Sequence, residues 1–226
     1  MGDLVAVLTD RLAGAFEEVR DPERAVGMAA YMRGRFPFLG LPSAVRRAQA
    51  RLSLAGLPKP TETELRDVAM ACWSRAEREF QQFACDYLTA HVKIPGPAFL
   101  DTVAELVTTK SWWDTVDPLA THVTAGLVRR HPALTARMDQ WAEADDMWLV
   151  RTAILHQLHY REATDTERLF GYCARQATHG DFFVRKAIGW ALRQYARTDP
   201  AAVRTFLSDH ADSLSPLSIR EAAKHL

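Results

Sequence analysis

Three short segments of the chain decide its fold: WLVRTAI (residues 148–154), FFVRKAI (182–188) and LSIREAA (217–223). Each contains an arginine followed two residues later by an alanine. These arginines succeed one another at intervals of 34 and 35 residues, at Arg151, Arg185 and Arg220. Repeats of this length are typical of an α-solenoid, in which two-helix units stack and bury a shared core. We therefore predict an all-α fold whose successive helices line one concave surface.

The same interval extends the pattern toward the N-terminus. One interval before Arg151 lies Asp117, the one acidic residue among five equivalent positions. Prolines and glycines that would end helices agree with this spacing. We predict one domain over residues 1–226, with an N-terminal helical cap over residues 1–60 and repeats over residues 61–226.

The composition favours a soluble globular protein, with 48% hydrophobic and 25% charged residues in a chain of 226. There is no apolar run of the ~20 residues needed to span a bilayer. Acids stand where a signal peptide would have its basic start. Three cysteines, Cys72, Cys85 and Cys173, share no metal-like spacing and are expected to be reduced. We expect a cytoplasmic protein.

The charges sum to zero but are unevenly distributed. Residues 24–61 contain seven basic residues and no acid, and residues 182–198 contain four basic residues and no acid. A neutral total can therefore hide a basic face, which is the electrostatic signature of phosphate binding. The alternative, that these runs are solvated helix faces, stays open for any single run.

The segment KSWWDTVD (residues 110–117) combines two tryptophans, two carboxylates and a lysine. Trp113 and Asp117 are four residues apart, which places them on one face of a helix. Ser111 and Asp114 resemble a capping box, and Asp117 before a proline resembles an N-cap followed by the first helical residue. The residues alone favour the cap slightly over a catalytic carboxylate.

A second constellation lies in RKAIGWALRQYAR (residues 185–197). Lys186, Trp190, Arg193 and Arg197 are spaced to share one face of a helix. A tryptophan flanked by three cations suits nucleic acid, because the cations contact phosphates while the ring stacks on a base or sugar. The alternative, that Trp190 fills a gap between repeats, stays open.

The remaining tryptophans read as packing residues. Trp73, Trp141 and Trp148 lie in apolar helical registers, and Trp112 points away from its neighbour on a helix. His156 and the histidine three residues later lack a third ligand at metal spacing, so no metal site is predicted.

Six segments together resemble a known family. The chain is similar to the AlkD-type DNA alkylation repair enzymes, which are HEAT-like-repeat DNA glycosylases. The segments that carry the resemblance are YMRGRFPFLGLPSAVRR (31–47), EREFQQFACDYL (77–88), TKSWWDTVD (109–117), WLVRTAILHQLHY (148–160), FFVRKAIGWALRQYARTDP (182–200) and LSIREAAKHL (217–226). They cover nearly the whole chain in order.

The resemblance implies a monofunctional glycosylase that hydrolyses the N-glycosidic bond of N3- and N7-alkylpurines in double-stranded DNA. It implies a monomer that starts base excision repair without a cofactor. It also implies a curved stack of HEAT-like repeats with a basic concave face for the duplex, and a cytoplasmic enzyme that is nucleoid-associated when bound to DNA.

The resemblance also assigns residues. Asp117 matches the catalytic carboxylate, and Trp113 and Trp190 match the aromatics beside the damaged nucleotide. Arg151 matches an arginine that grips the DNA backbone. The other residues predicted to bind DNA are Tyr31, Arg47, Lys110, Phe182, Phe183, Lys186, Arg193 and Arg197.

Two prolines depart from the family pattern, and two other functions remain as alternatives. Pro118 directly follows Asp117, and Pro42 stands where a polar, DNA-facing residue is expected. A non-catalytic DNA-binding paralogue would be expected to lack the Trp–Asp pair or Trp190. A scaffold for protein partners is disfavoured by the two basic runs.

Overall fold

The computed structural model describes residues 3–226 and contains helices and connecting loops, with no strand in that range. The all-α fold predicted from the sequence is confirmed. The chain divides into two compact units, one ending at Thr102 and the other beginning at Val103. The predicted single domain with an N-terminal cap stays a prediction.

The first unit is a set of packed amphipathic helices. One face of its first helix buries Leu4, Leu8, Leu12 and Phe16, as expected for apolar residues one turn apart. That helix packs against the third and fourth helices, and the fourth packs against the fifth. The helices are α1 (Leu4–Glu18), α2 (Pro22–Tyr31), α3 (Ser43–Leu54), α4 (Glu62–Ser74), α5 (Arg78–Ala90) and α6 (Phe99–Thr108), the last of which crosses the division between the units.

The loop before α3 is held by a buried carboxylate. Glu79 accepts hydrogen bonds from the backbone amides of Leu39, Gly40 and Leu41 at 2.9 to 3.1 Å. Gly40 has φ +93°, and a Cβ there would lie 2.0 Å from the carbonyl oxygen of Asp21, so only glycine fits. The loop leads directly into α3.

The second unit contains the three segments that define the repeat. WLVRTAI lies on α10 and FFVRKAI on α12, and LSIREAA lies on α14 except for its last residue, which begins a 3₁₀ turn. The α-helices are α7 (Trp113–Pro118), α8 (Ala125–Arg130), α9 (Thr135–Trp141), α10 (Met147–Leu155), α11 (Thr166–Arg175), α12 (Phe182–Tyr195), α13 (Pro200–Asp209) and α14 (Pro216–Ala222). A π-helical segment (Leu119–Thr124) joins α7 to α8, and 3₁₀ turns cover Pro132–Leu134, Arg161–Ala163 and Ala223–His225.

The repeated alanines explain why these helices stack. Ala153, Ala187 and Ala222 are all buried, and α12 packs against both α10 and α14. A small side chain at the contact lets neighbouring helix axes approach closely. The repeat therefore marks buried positions on helices that pack against one another.

Hydrogen bonds between residues about one repeat apart tie the stack together. The hydroxyl of Tyr160 donates to the carbonyl oxygen of Ala125, 35 residues earlier, at 2.6 Å. The side-chain amide of Gln176 donates to the carbonyl oxygen of Ala142, 34 residues earlier, at 2.7 Å. Side chains of one repeat thus satisfy backbone oxygens of the preceding one.

Among residues 3–226, the helices are too short or too polar to cross a membrane. The three cysteines are buried free thiols, in agreement with the sequence-based expectation. Burial raises the pKa of the Cys72 thiol to about 12, which makes it unreactive at neutral pH.

Candidate functional site

Asp117 lies inside a helix and does not cap one. The N-cap of α7 is Trp112, which makes no side-chain capping bond, and Asp117 belongs to the last turn. The hydroxyl of Ser111 donates backward to the carbonyl oxygen of Val107 at 2.7 Å. Both capping predictions for this segment are therefore wrong, because the helical run begins one residue after Trp112 and continues through Pro118.

The proline after Asp117 coincides with a change in helix type. Pro118 has no amide hydrogen, and its ring crowds the carbonyl oxygen four residues earlier. The backbone then widens into the π-helical segment from Leu119 to Thr124, where the hydroxyl of Thr121 donates to the carbonyl oxygen of Asp117 at 2.8 Å. Single π-helical turns of this kind occur frequently at functional sites.

Arg151 on α10 holds the carboxylate of Asp117 in a bidentate ion pair. Nε donates to Oδ1 at 2.7 Å and Nη2 donates to Oδ2 at 2.8 Å. The side chain of Arg151 is 3% exposed and that of Asp117 is 15% exposed. Nη1 of Arg151 donates to the carbonyl oxygen of Phe183 on α12. One guanidinium thus fixes the catalytic candidate and joins three helices of the stack.

Burial and the neighbouring Arg151 shift the pKa of Asp117 in opposite directions. Burial raises the pKa of the Asp117 carboxyl above its ordinary value, and the nearby charge of Asp114 adds to the rise. The hydrogen bonds and the charge of Arg151 oppose that shift. The arginine therefore favours a carboxylate in a place where burial alone would favour the neutral acid.

A cluster of aromatic rings lies beneath the site. Trp112 is buried, and its ring centroid lies 5.9 Å from that of Trp148 and 4.8 Å from that of Phe183. Trp73 and Trp141 are buried as well. The packing roles predicted for these four tryptophans are confirmed, and the rings give α7, α10 and α12 a rigid contact.

An open depression of about 290 Å³ brings the predicted site residues together. Its lining includes all three predicted catalytic residues and four of those predicted to bind DNA. The lining residues are Trp113, Asp117, Arg151, Phe182, Phe183, Lys186 and Trp190. Trp113 and Trp190 are half-buried and Phe182 is 52% exposed, so aromatic surface faces the opening beside a carboxylate.

The cations predicted around Trp190 are arranged differently from the expectation. Lys186 and Arg193 form ion pairs with Glu221 on α14 at 2.8 and 3.0 Å. Arg197 is exposed and lies past the end of α12, which stops at Tyr195. The prediction of one helix face bearing all these cations is therefore wrong at its C-terminal end, where the last turn of the helix unwinds.

Sequence reasoning missed Glu221. A run of charges along one helix does not reveal the acid that a neighbouring helix contributes. The repeat length could have identified this partner, because Glu221 follows Lys186 by 35 residues, which is one repeat.

Three further residues predicted to bind DNA lie outside the depression. Lys110 is exposed in the loop after α6, two residues past its end, with φ 49°. Tyr31 ends α2 in the first unit and is 73% exposed. Arg47 on α3 forms an ion pair with Asp86 at 3.2 Å. Their part in DNA binding stays a prediction.

The side chains that metal ions prefer as ligands do not cluster in the part of the chain that the structure describes. Among residues 3–226, there is no group of three or more histidine, cysteine or carboxylate side chains placed to hold a metal ion. His156 is buried, its Nδ1 lies 2.7 Å from the carbonyl oxygen of Ala153, and burial lowers its pKa to about 4. That histidine packs as a neutral ring.

The fold and the depression define a class: an all-α helical-repeat protein with an aromatic and carboxylate site between stacked helices. The chain belongs to the DNA alkylation repair enzyme family, whose model matches residues 12–226. Membership indicates a role in the repair of alkylated DNA.

A solved structure is similar over nearly the whole chain. It is described as a predicted DNA alkylation repair enzyme from Enterococcus faecalis, with 32% sequence identity and a TM-score of 0.81. The similarity covers 92% of this chain and 96% of that one. A search of curated proteins finds no match.

Proposed function

We propose that this protein is a DNA glycosylase that hydrolyses the N-glycosidic bond of cationic N3- and N7-alkylpurines in double-stranded DNA. The observation that carries the proposal is the depression itself, where Asp117 lies with Trp113 and Trp190. Family membership supports alkylated DNA as the substrate. The chemistry of these side chains supports hydrolysis of the N-glycosidic bond as the reaction.

An alkylated, positively charged purine is already a good leaving group. Alkylation at N3 or N7 gives the purine a positive charge, so the base departs as a neutral molecule. Positive charge then develops on the deoxyribose, as in other glycosyl transfers with oxocarbenium-like transition states. A fixed carboxylate beside the sugar stabilises that charge, and removing such a group typically costs 10²- to 10³-fold in rate.

Asp117 is suited to this task because Arg151 fixes it. Each carboxylate oxygen accepts one hydrogen bond from Arg151 and keeps a second lone pair that can accept from a water molecule. In this proposal Asp117 stabilises the sugar cation and orients the attacking water. Arg151, which is almost fully buried, acts as a positioning residue, and this changes the DNA-gripping role implied by the resemblance.

The two tryptophans favour a cationic nucleotide over a normal one. A desolvated cation over an indole face gains about 2 kcal/mol, whereas a neutral purine gains only stacking. The depression is open, so the damaged nucleotide can meet these rings without entering an enclosed pocket. The aromatic surface thereby contributes both binding and selectivity.

The reaction proposed is monofunctional. Lys186 is the lysine that lines the depression, and its ammonium forms an ion pair with Glu221 at 2.8 Å. A paired ammonium has no lone pair with which to attack the sugar. Water is therefore the nucleophile, and the DNA strand remains intact after the base has left.

The proposal extends to the remaining contacts with DNA. Tyr31, Arg47 and Lys110 would add phosphate or sugar contacts outside the depression, and the protein would act as a monomer without a cofactor. Phosphate contacts make binding weaken steeply with salt.

The test is direct. A duplex carrying one 7-methylguanine is incubated with the protein, and released base is measured by chromatography. We expect free 7-methylguanine, with strand breaks appearing only after alkaline treatment of the abasic site. Absence of base release would refute the proposal that the protein is an enzyme. Strand breaks that appear before alkaline treatment would contradict the monofunctional mechanism.

A further inference from the structure

One buried acid, Glu221, forms ion pairs with the cations next to Trp190. The carboxylate of Glu221 lies 2.8 Å from Nζ of Lys186, 2.8 Å from Nζ of Lys224 and 3.0 Å from Nη1 of Arg193. Its side chain is 6% exposed, whereas all three cations are partly exposed. Lys186 and Arg193 lie one turn before and one turn after Trp190 on α12.

Close packing of two helices places this acid. A Cβ built on Gly189 of α12 would lie 2.5 Å from Cβ of Glu221 and 2.9 Å from the carbonyl oxygen of Ser218, both on α14. The hydroxyl of Ser218 also donates to the carbonyl oxygen of Arg185 at 2.9 Å. The close contact between α12 and α14 therefore fixes the position of the Glu221 Cβ, and the side chain that carries the carboxylate is buried.

The charge of Lys186 matters because this lysine lines the depression with Asp117 and Trp190. An ammonium without a counterion would repel a purine that is itself positive. Its repulsion, at about 7 Å in a partly hydrated site, changes an equilibrium or a rate about 3- to 10-fold. The carboxylate of Glu221, which is shared with Arg193 and Lys224, reduces this repulsion.

We propose that Glu221 is a specificity-determining residue, which lowers the positive charge that Lys186 presents so that the wall carrying Trp190 accepts a cationic base. The inference rests on the proposed function and adds a residue that acts through its neighbours. It gives α14, which bears no residue of the depression, a part in selecting the substrate.

Removing the charge of Glu221 has two consequences of opposite sign. Three cations lose their shared counterion, so binding to any DNA backbone strengthens and its dependence on salt becomes steeper. At the same time, a cationic base is repelled, so the release rate relative to the affinity for undamaged duplex falls. A purely structural role for Glu221 predicts instead that both binding and release weaken together.

The experiment compares Glu221→Gln with Glu143→Gln. Glu143 is exposed, pairs with Arg175 at 3.0 Å and does not line the depression, so its variant changes the net charge equally outside the depression. For each variant, affinity for undamaged duplex is measured across salt concentrations. Release of 7-methylguanine is measured in single turnover at protein concentrations well below saturation and is divided by the affinity of the same variant for undamaged duplex. This normalised rate is the release rate compared between variants.

We expect Glu221→Gln to bind undamaged duplex more tightly and to show a normalised rate of 7-methylguanine release about 3- to 10-fold lower. Glu143→Gln should change the release rate less than 2-fold. Glu221→Asp, which retains the charge, should recover most of the wild-type release rate. An unchanged release rate in Glu221→Gln, or loss of binding and release together, overturns the inference.

The outcomes separate the two proposals. A wild-type protein that releases no 7-methylguanine contradicts the proposed function, and this inference falls with it. A wild-type protein that releases the base, with a Glu221→Gln variant that releases it at the same normalised rate, contradicts the inference alone.

Discussion

The ion pair between Arg151 and Asp117 should be the most strongly coupled charge pair of the second unit. Two hydrogen bonds of 2.7 and 2.8 Å join an arginine that is 3% exposed to a carboxylate that is 15% exposed. Removing one member of a buried pair leaves the other charge uncompensated, at a cost of about 3–5 kcal/mol. Arg151→Ala should therefore lower the free energy of unfolding by about 3–5 kcal/mol at pH 7.

A double-mutant cycle measures the coupling. Arg151→Ala, Asp117→Asn and the double variant are unfolded in urea and followed by tryptophan fluorescence. Because the second substitution removes a charge that the first has left uncompensated, the double variant should be less destabilised than the sum of the single variants, by about 1–3 kcal/mol.

The exposed pair Arg175–Glu143 serves as the matched control, since both side chains are substantially solvated. Its coupling energy should stay below about 1 kcal/mol. A coupling between Arg151 and Asp117 as small as that of the control would refute the argument that Arg151 holds the catalytic candidate in place.

Three further predictions concern helix packing, helix type and pH. Gly189→Ala should cost about 1–3 kcal/mol in calorimetric stability, because its Cβ would overlap α14, whereas Gly171→Ala, with nothing within 4 Å, should be neutral or stabilising. Pro118→Ala should leave stability within about 1 kcal/mol but slow base release about 10-fold, since the widened turn that follows Asp117 relaxes; an unchanged rate would contradict this. Lys186 and other cations hold the pKa of Glu221 at about 2, below its ordinary 4.5. The roughly 1–3 kcal/mol that this pairing contributes is present above pH 4.5 and lost as the pH falls toward 2, so the stability difference from Glu221→Gln should shrink across that window in pH-dependent urea titrations.

The sequence predicted the stacking because stacking needs a periodic small residue. Ala153, Ala187 and Ala222 recur at buried positions of α10, α12 and α14. The resemblance also predicted which aromatics and which carboxylate come together. These features depend on residue type and spacing, both of which a single sequence displays.

Other features depend on the neighbouring helix and stayed hidden. The dipeptide Asp117–Pro118 favours a helix start in local statistics, but here the helix continues through it by widening its turn. The basic run on α12 did not reveal its acidic partner, because Glu221 lies on α14, one repeat later in the sequence. Asp117 and Arg151 also lie one repeat apart, at 34 residues, and reading equivalent positions as contacts would have found both pairs.

The central claim is that the carboxylate of Asp117 stabilises the cation that develops on the sugar. Asp114 is a half-buried acid on the same helix, three residues earlier, and does not line the depression. Its variant Asp114→Asn therefore controls for the loss of one negative charge from α7.

The decisive measurement is the single-turnover rate of 7-methylguanine release by Asp117→Asn and Asp114→Asn at saturating protein. We expect Asp117→Asn to be slower than the wild type by about 10²- to 10³-fold and Asp114→Asn to stay within about 3-fold. Release by Asp117→Asn at a rate comparable to that of the wild type would contradict the account.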